Sequence, residues 1–412
     1  MSLFLDHTNS NVLKGEITIS GSKSESNRLL ILQQHFPKLL IKNLSNSDDT
    51  QHLEKALKMA TTYTAESVTI NIGHAGTAMR FLTAFLATQK GQIVQLTGSK
   101  RMQERPIKIL VDALLDLGAQ IDYVKNDGYP PILITGKKLN KNTLSIKGNI
   151  SSQYISALLL IAPTLPNGLE IHLKGEITSI PYIEMTLALL DRIGVNTSFD
   201  SKTIRVQPLK TEITKPQSIF VEPDWSSASY YYSIAALQPN STIQLNGFKR
   251  DSLQGDSVLP EIYNKLGVKT TFTNTGIVLE SAQVTLNVKS ISLNLKNTPD
   301  LAQTIAVSCL GLGVNCHLTG LHTLKIKETD RLQALKNELE KLGAKVQITN
   351  NSLDLTASKK INQHIAINTY QDHRMAMAFA PLSVKTPIII NEHEVVSKSY
   401  PQFWADLEGL FG

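Results

Sequence analysis

Cysteine is scarce: 412 residues contain only Cys309 and Cys316. Two cysteines cannot build a disulfide framework, a usage that suits a reducing, cytoplasmic setting. With His317 they could suggest a metal site, but no second ligand pair stands at a fitting spacing. Cys309 lies inside an apolar run and reads as a core residue. No stretch approaches 18 consecutive apolar residues, which excludes a typical membrane-spanning helix. Met1 to Ser10 carries Asp6 and no apolar stretch, so it does not read as a signal peptide. The net charge is +6 and the pI near 9.0, yet basic runs longer than two or three residues are missing. That argues against nucleic acid and leaves small acidic substrates open. Nucleotide loops are missing too. Gly15 and Gly21 have five residues between them, and Ser22 intervenes before Lys23, so this is not a P-loop. Gly311-Leu312-Gly313 lacks the third glycine of a dinucleotide fingerprint and follows a helical pattern rather than a strand.

What is present is ordinary in amount and unusual in arrangement. Apolar residues make up 42% and charged residues 18%, as in globular proteins, and the length allows two or three domains. Six stretches look like the start of the same helix: Ser22 to Arg28, Ala75 to Arg80, Ser151 to Tyr154, Asp224 to Ser229, Pro299 to Gln303 and Asp372 to Met375. Each leads into an apolar run. Small and polar residues at a helix start leave backbone N–H groups exposed, and the helix dipole attracts phosphate or carboxylate there.

A second element repeats as well. Four amphipathic segments end at Gly118, Gly194, Gly267 and Gly343, which stand 76, 73 and 76 positions apart. A glycine just past the last apolar residue is a helix stop. The spacing implies a unit of about 70 to 75 residues, repeated about six times. The copy near Gln51 to Ala60 lacks the glycine. Alternating runs such as Lys14 to Ser20, Gln92 to Leu96 and Lys345 to Thr349 read as half-buried strands between the helices. The fold class is therefore α/β, in two similar domains. Low periodicity with Pro208, Lys210, Lys215 and Pro216 places a seam in Gln207 to Ser218, with three anion-type helix starts on each side.

Lys325 to Arg331 packs five charges into seven residues. It fits a solvated helix start, or a cation–carboxylate pair for proton transfer beside a phosphate-binding arginine. Arg101 to Pro106 and Asp372 to Arg374 are equally open when taken singly.

Together these stretches resemble the 5-enolpyruvylshikimate-3-phosphate synthase family of enolpyruvyl transferases. The matching segments are Gly21-Ser22-Lys23-Ser24 with Ser26-Asn27-Arg28, Ala75 to Arg80, Arg101-Met102 with Glu104-Arg105-Pro106, Ser151-Ser152-Gln153, Ser179 with Pro181-Tyr182, Pro223-Asp224 with Ser226 to Tyr230, Lys327 to Arg331, and Asp372 to Met377. They keep the family's order from residue 21 to Pro401. The resemblance implies two domains of three βαβαββ units each, with the active site between them. The first domain would run over residues 21–222. The second would combine residues 1–20 with 223–412.

The implied reaction moves the enolpyruvyl group of phosphoenolpyruvate to the 5-hydroxyl of shikimate 3-phosphate, releases phosphate, and needs no metal or other cofactor. It belongs to chorismate and aromatic amino acid biosynthesis. By motif, Lys23, Ser24, Arg28, Ser151, Ser152, Gln153, Ser179, Asp300 and Lys327 would meet shikimate 3-phosphate, with Tyr182 beside its ring. Lys23, Gly76, Arg101, Gln153, Arg331, Arg374 and Lys398 would meet phosphoenolpyruvate. Asp300 would be the general base for the hydroxyl, with Lys327 and Lys23 beside the chemistry. Glu328 would protonate the methylene carbon. Arg80 and Asp330 would be structural. Glyphosate would inhibit, and the enzyme would be a cytoplasmic monomer. Three residues depart from the family's common pattern: His74 where Asn is usual, Phe81 where Pro is usual, and Thr323 where Asn often contacts shikimate 3-phosphate. That last contact is not carried over. The related transferase acting on UDP-N-acetylglucosamine is the alternative, but Arg101 to Pro106 lacks the reactive cysteine usual there. An RNA-cyclase-like relative is a third reading, opposed by Lys23, Asp300, Glu328 and Arg374 together.

Overall fold

A computed structural model describes residues 1–10, 13–62, 67–209, 216–281 and 288–412. The chain folds into two compact domains, a continuous one of residues 22–221 and a discontinuous one of residues 1–21 plus 222–412. Local pattern becomes fold through the helix stops. Gly118, Gly194, Gly267 and Gly343 all sit at positive φ, between 85° and 101°, a conformation that costs glycine little and other residues more. Each stop turns the chain from a helix into a strand. The helices are Lys108–Asp116, Ile180–Arg192, Leu259–Asn264 and Arg331–Lys341. The strands that follow are Gln120–Tyr123, Thr197–Asp200, Val268–Phe272 and Lys345–Ile348.

Four sheets share one topology. In the continuous domain, Val68–Asn71 pairs parallel with Ile93–Thr97, which pairs antiparallel with Ile132–Thr135, and Gln120–Tyr123 closes the edge. Thr143–Lys147, Leu169–Lys174, Thr203–Val206 and Thr197–Asp200 repeat that order. In the discontinuous domain the order recurs in Leu13–Ile17, Ser241–Asn246, Gly276–Ser281 and Val268–Phe272. It recurs again in Ser290–Asn294, Asn315–Thr319, Ser352–Thr356 and Lys345–Ile348. Parallel first pairs need a crossover helix, and the final hairpin needs only a short turn. The result is βαβαββ.

Among the described residues the remaining two units form smaller sheets of two and three strands; one of them contains the copy near Gln51 to Ala60 that lacks the glycine. Among the described residues Leu39–Lys42 pairs only with Gln217–Phe220. Ile388–Asn391 pairs with Ile365–Ile367 and with the N-terminal strand Ser2–Leu5. The first of these pairings also moves the seam. Gln217–Phe220 belongs to the continuous domain because its ladder partner is there, so Gln207 to Ser218 is not the boundary; Lys210 and Lys215 lie outside the described residues. The chain changes domain at 21/22 and 221/222, beside a bridge between Gly21 and Pro223.

Each domain has three interior helices that are largely buried. Lys23–His35, Gly76–Ala87 and Ser152–Ile161 pack on one another in the continuous domain. Trp225–Leu237, Ala302–Leu312 and His373–Phe379 do so in the discontinuous one. These six carry the anion-type starts. Cys309 and Cys316 are free and buried, as core residues. No helix among the described residues is long and apolar enough to cross a membrane.

Candidate active site

The helix starts divide into two classes, which the sequence reading treated as one. In the continuous domain, the residues before the three helices, Ser22, Ala75 and Ser151, make no side-chain cap bond. The first-turn N–H groups there are left to water or a ligand. In the discontinuous domain, Asp224 accepts from the Ser227 N–H and Asp372 from the Arg374 N–H. Gln254 Oε1 also accepts from the Trp225 N–H, and a 3₁₀ turn over Pro299–Leu301 precedes the third helix. Two of those three starts already hold a carboxylate of their own.

Side-chain charge differs between the domains most clearly at the buried arginines Arg28 and Arg331. Arg28 is buried and donates from Nε to Thr186 Oγ1 (2.7 Å), from Nη1 to the Ser24 carbonyl (2.7 Å), and from Nη2 to Ser156 Oγ (2.9 Å) and the Tyr182 carbonyl (3.2 Å). Its guanidinium lies 5.4 Å from the Phe81 ring centroid and 5.9 Å from that of Tyr182, in cation–π range. All of these partners are neutral, and Arg28 forms no ion pair among the described residues. Burial lowers its pKa to about 10 against the opposing pull of Tyr182 and Glu25, so it stays charged at neutral pH. Phe81, a departure from the family pattern, thus supplies one face of the slot that holds Arg28.

Lys23 begins its helix and lies 3.7 Å from Asp49 Oδ2. His74 approaches the other Asp49 oxygen at 3.8 Å. Asp49 was not singled out from sequence; the only signal was the acidic pair Asp48-Asp49 in the first turn of Asp48–Thr62. Gln153 Nε2 donates to Thr77 Oγ1 at 3.2 Å, joining two of the uncapped starts. Ser152 is buried, and Ser179 is held at φ 54° just before Ile180. A serine in that left-handed conformation is strained by about 1–3 kcal/mol. Arg101 is largely exposed and pairs with Glu104 at 3.3 Å.

In the discontinuous domain the cations are matched by acids. Arg331 is 2% exposed. It donates to Asp372 Oδ2 (2.6 Å), Asp372 Oδ1 (3.3 Å), Asp300 Oδ1 (2.9 Å) and Glu328 Oε2 (2.8 Å). Burial opposes its charge, but Asp372, Glu328 and Asp300 outweigh burial and raise its pKa. Arg374 donates to Asp300 Oδ2 (3.1 Å), the Asp300 carbonyl and Ser226 Oγ (both 3.3 Å). Lys327 stands 3.6 Å from Asp300 Oδ1. Burial alone would raise the Asp300 pKa; Arg374, Lys327 and Arg331 together reverse this and hold it well below the usual carboxylate range. Burial lowers the Lys327 pKa against the pull of Asp300. Lys398 donates to the Gln371 carbonyl at 2.7 Å. That carbonyl follows two positive-φ residues, Tyr370 and Gln371, which lead into the Arg374 helix. Asp330 caps its own helix through the Gln333 N–H. The Thr323 hydroxyl is buried and without a hydrogen-bond partner among the described residues.

Asp256 is a further buried carboxylate that no motif disclosed. It is 3% exposed, accepts from Ser226 Oγ, and so connects through Ser226 to Arg374. Burial, with the Asp300 charge, pushes its pKa up to about 7. A carboxyl raised in the folded state stabilises fully below its unfolded pKa, and that contribution is lost as pH rises through the folded value. Asp256→Asn, which mimics the protonated acid, should therefore gain stability over the parent at pH 8 but little at pH 4. The difference should be on the order of 4 kcal/mol at 1.36 kcal/mol per pKa unit. Urea midpoints at the two pH values check this; an equal change at both would contradict it.

The sequence matches the EPSP synthase (3-phosphoshikimate 1-carboxyvinyltransferase) family over residues 7–407. A 3-phosphoshikimate 1-carboxyvinyltransferase of Bacteroides fragilis strain YCH46 is 47% identical over 400 residues, covering 96% of this chain and 95% of the relative. One from Shewanella pealeana is 36% identical over 420 residues, with 97% of each covered. Among solved structures, an EPSP synthase from Acinetobacter baumannii superposes with a TM-score of 0.79 at 21% identity, covering 99% and 98% of the two chains. The enolpyruvyl transferase NikO from Streptomyces tendae gives 0.76 at 14% identity, covering 99% and 97%. Those two share the fold. With the match over nearly its full length and relatives of this identity, the chain belongs to the EPSP synthase family.

Proposed function

We propose that this protein transfers the enolpyruvyl group of phosphoenolpyruvate to the 5-hydroxyl of shikimate 3-phosphate, with release of phosphate, and that both domains act on the one substrate pair. The observation that carries this reading is the division of charge just described. The continuous domain offers uncapped helix starts and a buried Arg28 whose hydrogen-bond partners are all neutral, which suit anion binding. The discontinuous domain offers carboxylates gripped by cations, which suit proton transfer. The two substrates bring about six negative charges near pH 7. Arg28, Ser24, Ser151, Ser152, Gln153 and Ser179 hold shikimate 3-phosphate in this reading. Lys23, Gly76, Arg101, Gln153, Arg374 and Lys398 hold phosphoenolpyruvate.

Asp300 serves as the base for the 5-hydroxyl, but not in the charge state of the unliganded site. A base works best with a pKa near the operating pH, and three cations hold Asp300 far below it. A phosphate or carboxylate arriving at Arg374 draws that cation off and adds negative charge nearby. Both effects raise the Asp300 pKa, so substrate binding itself prepares the base. Arg331 keeps its hold on Asp372 and orients Asp300 and Glu328. Glu328 delivers the proton to the methylene carbon and later removes one from the methyl group. Lys327 and Lys23 stabilise the negative charge that builds in the tetrahedral adduct.

Phosphate release is the test. Phosphoenolpyruvate with shikimate 3-phosphate should release phosphate stoichiometrically with acceptor, and UDP-N-acetylglucosamine should release none. Release with the sugar nucleotide alone would overturn the assignment. Glyphosate should compete with phosphoenolpyruvate, and the protein should behave as a cytoplasmic monomer.

A further inference from the structure

One helix grips the segment that leads to Arg374 at two points. Arg331 and Glu338 both lie on Arg331–Lys341, about two turns apart, and so share one face. Arg331 holds Asp372. Glu338 is fully buried and holds the residues just before it. Its Oε2 accepts from the Asn368 N–H at 3.1 Å, and its Oε1 from the Tyr370 hydroxyl at 2.6 Å. Lys341 Nζ donates to Oε1 and Oε2 at 2.9 and 2.7 Å, supplying the counter-charge that a buried carboxylate needs. Neither the motifs nor the mechanism above makes use of Glu338.

The gripped segment is bent into an unfavourable turn. The Asp372 N–H donates to the Thr369 carbonyl at 2.8 Å, and the residues between them, Tyr370 and Gln371, lie at φ 53° and 55°. Positive φ at both central positions is the pattern of a type I′ turn, which favours glycine, asparagine and aspartate. Tyrosine and glutamine are strained there, and such strain persists only where surrounding contacts over-determine it. The bonds to Glu338 are contacts of that kind. The turn reaches onward to the element that carries Lys398. Thr369 Oγ1 donates to Glu392 Oε2 at 3.3 Å, at the start of the 3₁₀ turn His393–Lys398. At the far end of that 3₁₀ turn, Lys398 Nζ donates to the Gln371 carbonyl at 2.7 Å. Glu338, the strained turn and Lys398 are therefore linked in series.

We propose that Glu338 is a positioning residue for the reaction: it holds the Tyr370–Gln371 turn in its strained form and thereby sets the place of the Lys398 ammonium. This rests on the function proposed above, in which Lys398 meets phosphoenolpyruvate, and adds to it a buried residue that acts only through others. A lysine stem is flexible, and fixing it costs rotamer entropy. The Gln371 carbonyl, aimed by the turn, fixes it before the substrate arrives. Without Glu338 the turn relaxes toward negative φ and the carbonyl swings away. The substrate must then order Lys398 itself, so donor binding weakens while the chemical step is spared.

The test uses the full chain with Glu338→Gln and with the milder Tyr370→Phe, which deletes one hydroxyl and carries both readouts if Glu338→Gln does not fold. In steady-state phosphate release, Glu338→Gln should raise KM for phosphoenolpyruvate at least about fivefold, with kcat and KM for shikimate 3-phosphate within about twofold. Tyr370→Phe should shift the same constant in the same direction, by less. A merely structural role would lower the amount of folded enzyme, hence kcat, and leave both KM values alone. In a Lys398→Ala background, Glu338→Gln should add less than about twofold to the KM for phosphoenolpyruvate. An equal rise in both KM values, or full additivity with Lys398→Ala, would overturn the proposal. The position of Lys398 is also read without turnover. Lys398 is half-buried, and limited acylation with an amine-reactive anhydride, followed by mass spectrometry, reports its freedom. Its reactivity should rise at least about threefold in Glu338→Gln, while lysines of the other domain stay unchanged. If neither acceptor supports phosphate release, the reaction assignment falls, and that rise still sustains the positioning of Lys398. Unchanged Lys398 reactivity rejects it.

Discussion

Asp300→Ala should lower turnover by at least about a hundredfold while leaving shikimate 3-phosphate affinity within roughly tenfold of the parent. Asp300 touches Arg331, Arg374 and Lys327 at 2.9, 3.1 and 3.6 Å, so its removal takes away both a base and the common counter-charge of three cations. General-base catalysis contributes about 10²–10⁴ in rate. The three cations left behind attract substrate anions at least as strongly as before, so binding should survive. Asp300→Asn separates the two effects: it removes the base but keeps a neutral acceptor for the arginines. Single-turnover rates and equilibrium binding, measured for both variants, decide the matter. A turnover loss below about tenfold in Asp300→Ala would remove Asp300 from the role of base.

Arg331→Leu should cost stability as well as activity. Asp372 is fully buried, and its side-chain oxygens accept from Arg331 and from the backbone N–H of Arg374. Deleting one partner of a buried charge network typically costs about 3–5 kcal/mol, because the remaining charge is left uncompensated. The urea midpoint should fall accordingly, and phosphate release should be lost even at temperatures where the variant is folded. Arg331→Leu combined with Asp372→Leu should be closer to the parent in stability than Arg331→Leu alone. A single variant destabilised by less than about 1 kcal/mol would mean that the network is not formed in solution.

Features written in local sequence were legible. Gly118, Gly194, Gly267 and Gly343 end helices because a stop needs only one positive-φ residue after an apolar stripe. The strands Ile93–Thr97 and Lys345–Ile348 follow from alternation over a few residues. The six interior helices follow from small polar residues preceding apolar runs. Features that depend on long-range pairing were not legible. Nothing near Leu39 states that its strand partner is Gln217; the smaller unit showed only as the missing glycine near Gln51 to Ala60, and periodicity alone put the seam in Gln207 to Ser218. Asp49 and Asp256 belong to no motif, and their importance comes from what folding brings beside them.

The charge division was half visible. Asp224 and Asp372 stand directly before their helices in the sequence, and aspartate is a strong helix cap, although all six starts were read alike as anion sites. The contrast between the exposed Arg101 and the buried Arg105 was out of reach, since the two stand in one short charged stretch of sequence.

The most direct measurement is a double-substitution cycle between the domains, Lys23→Ala with Arg374→Ala, followed by kcat/KM for phosphoenolpyruvate. If one substrate pair engages cations of both domains, each single substitution lowers kcat/KM at least about tenfold, and the pair together falls short of or exceeds the product of the two. If either substitution leaves kcat/KM within about twofold of the parent, the two domains do not serve the same reacting molecules.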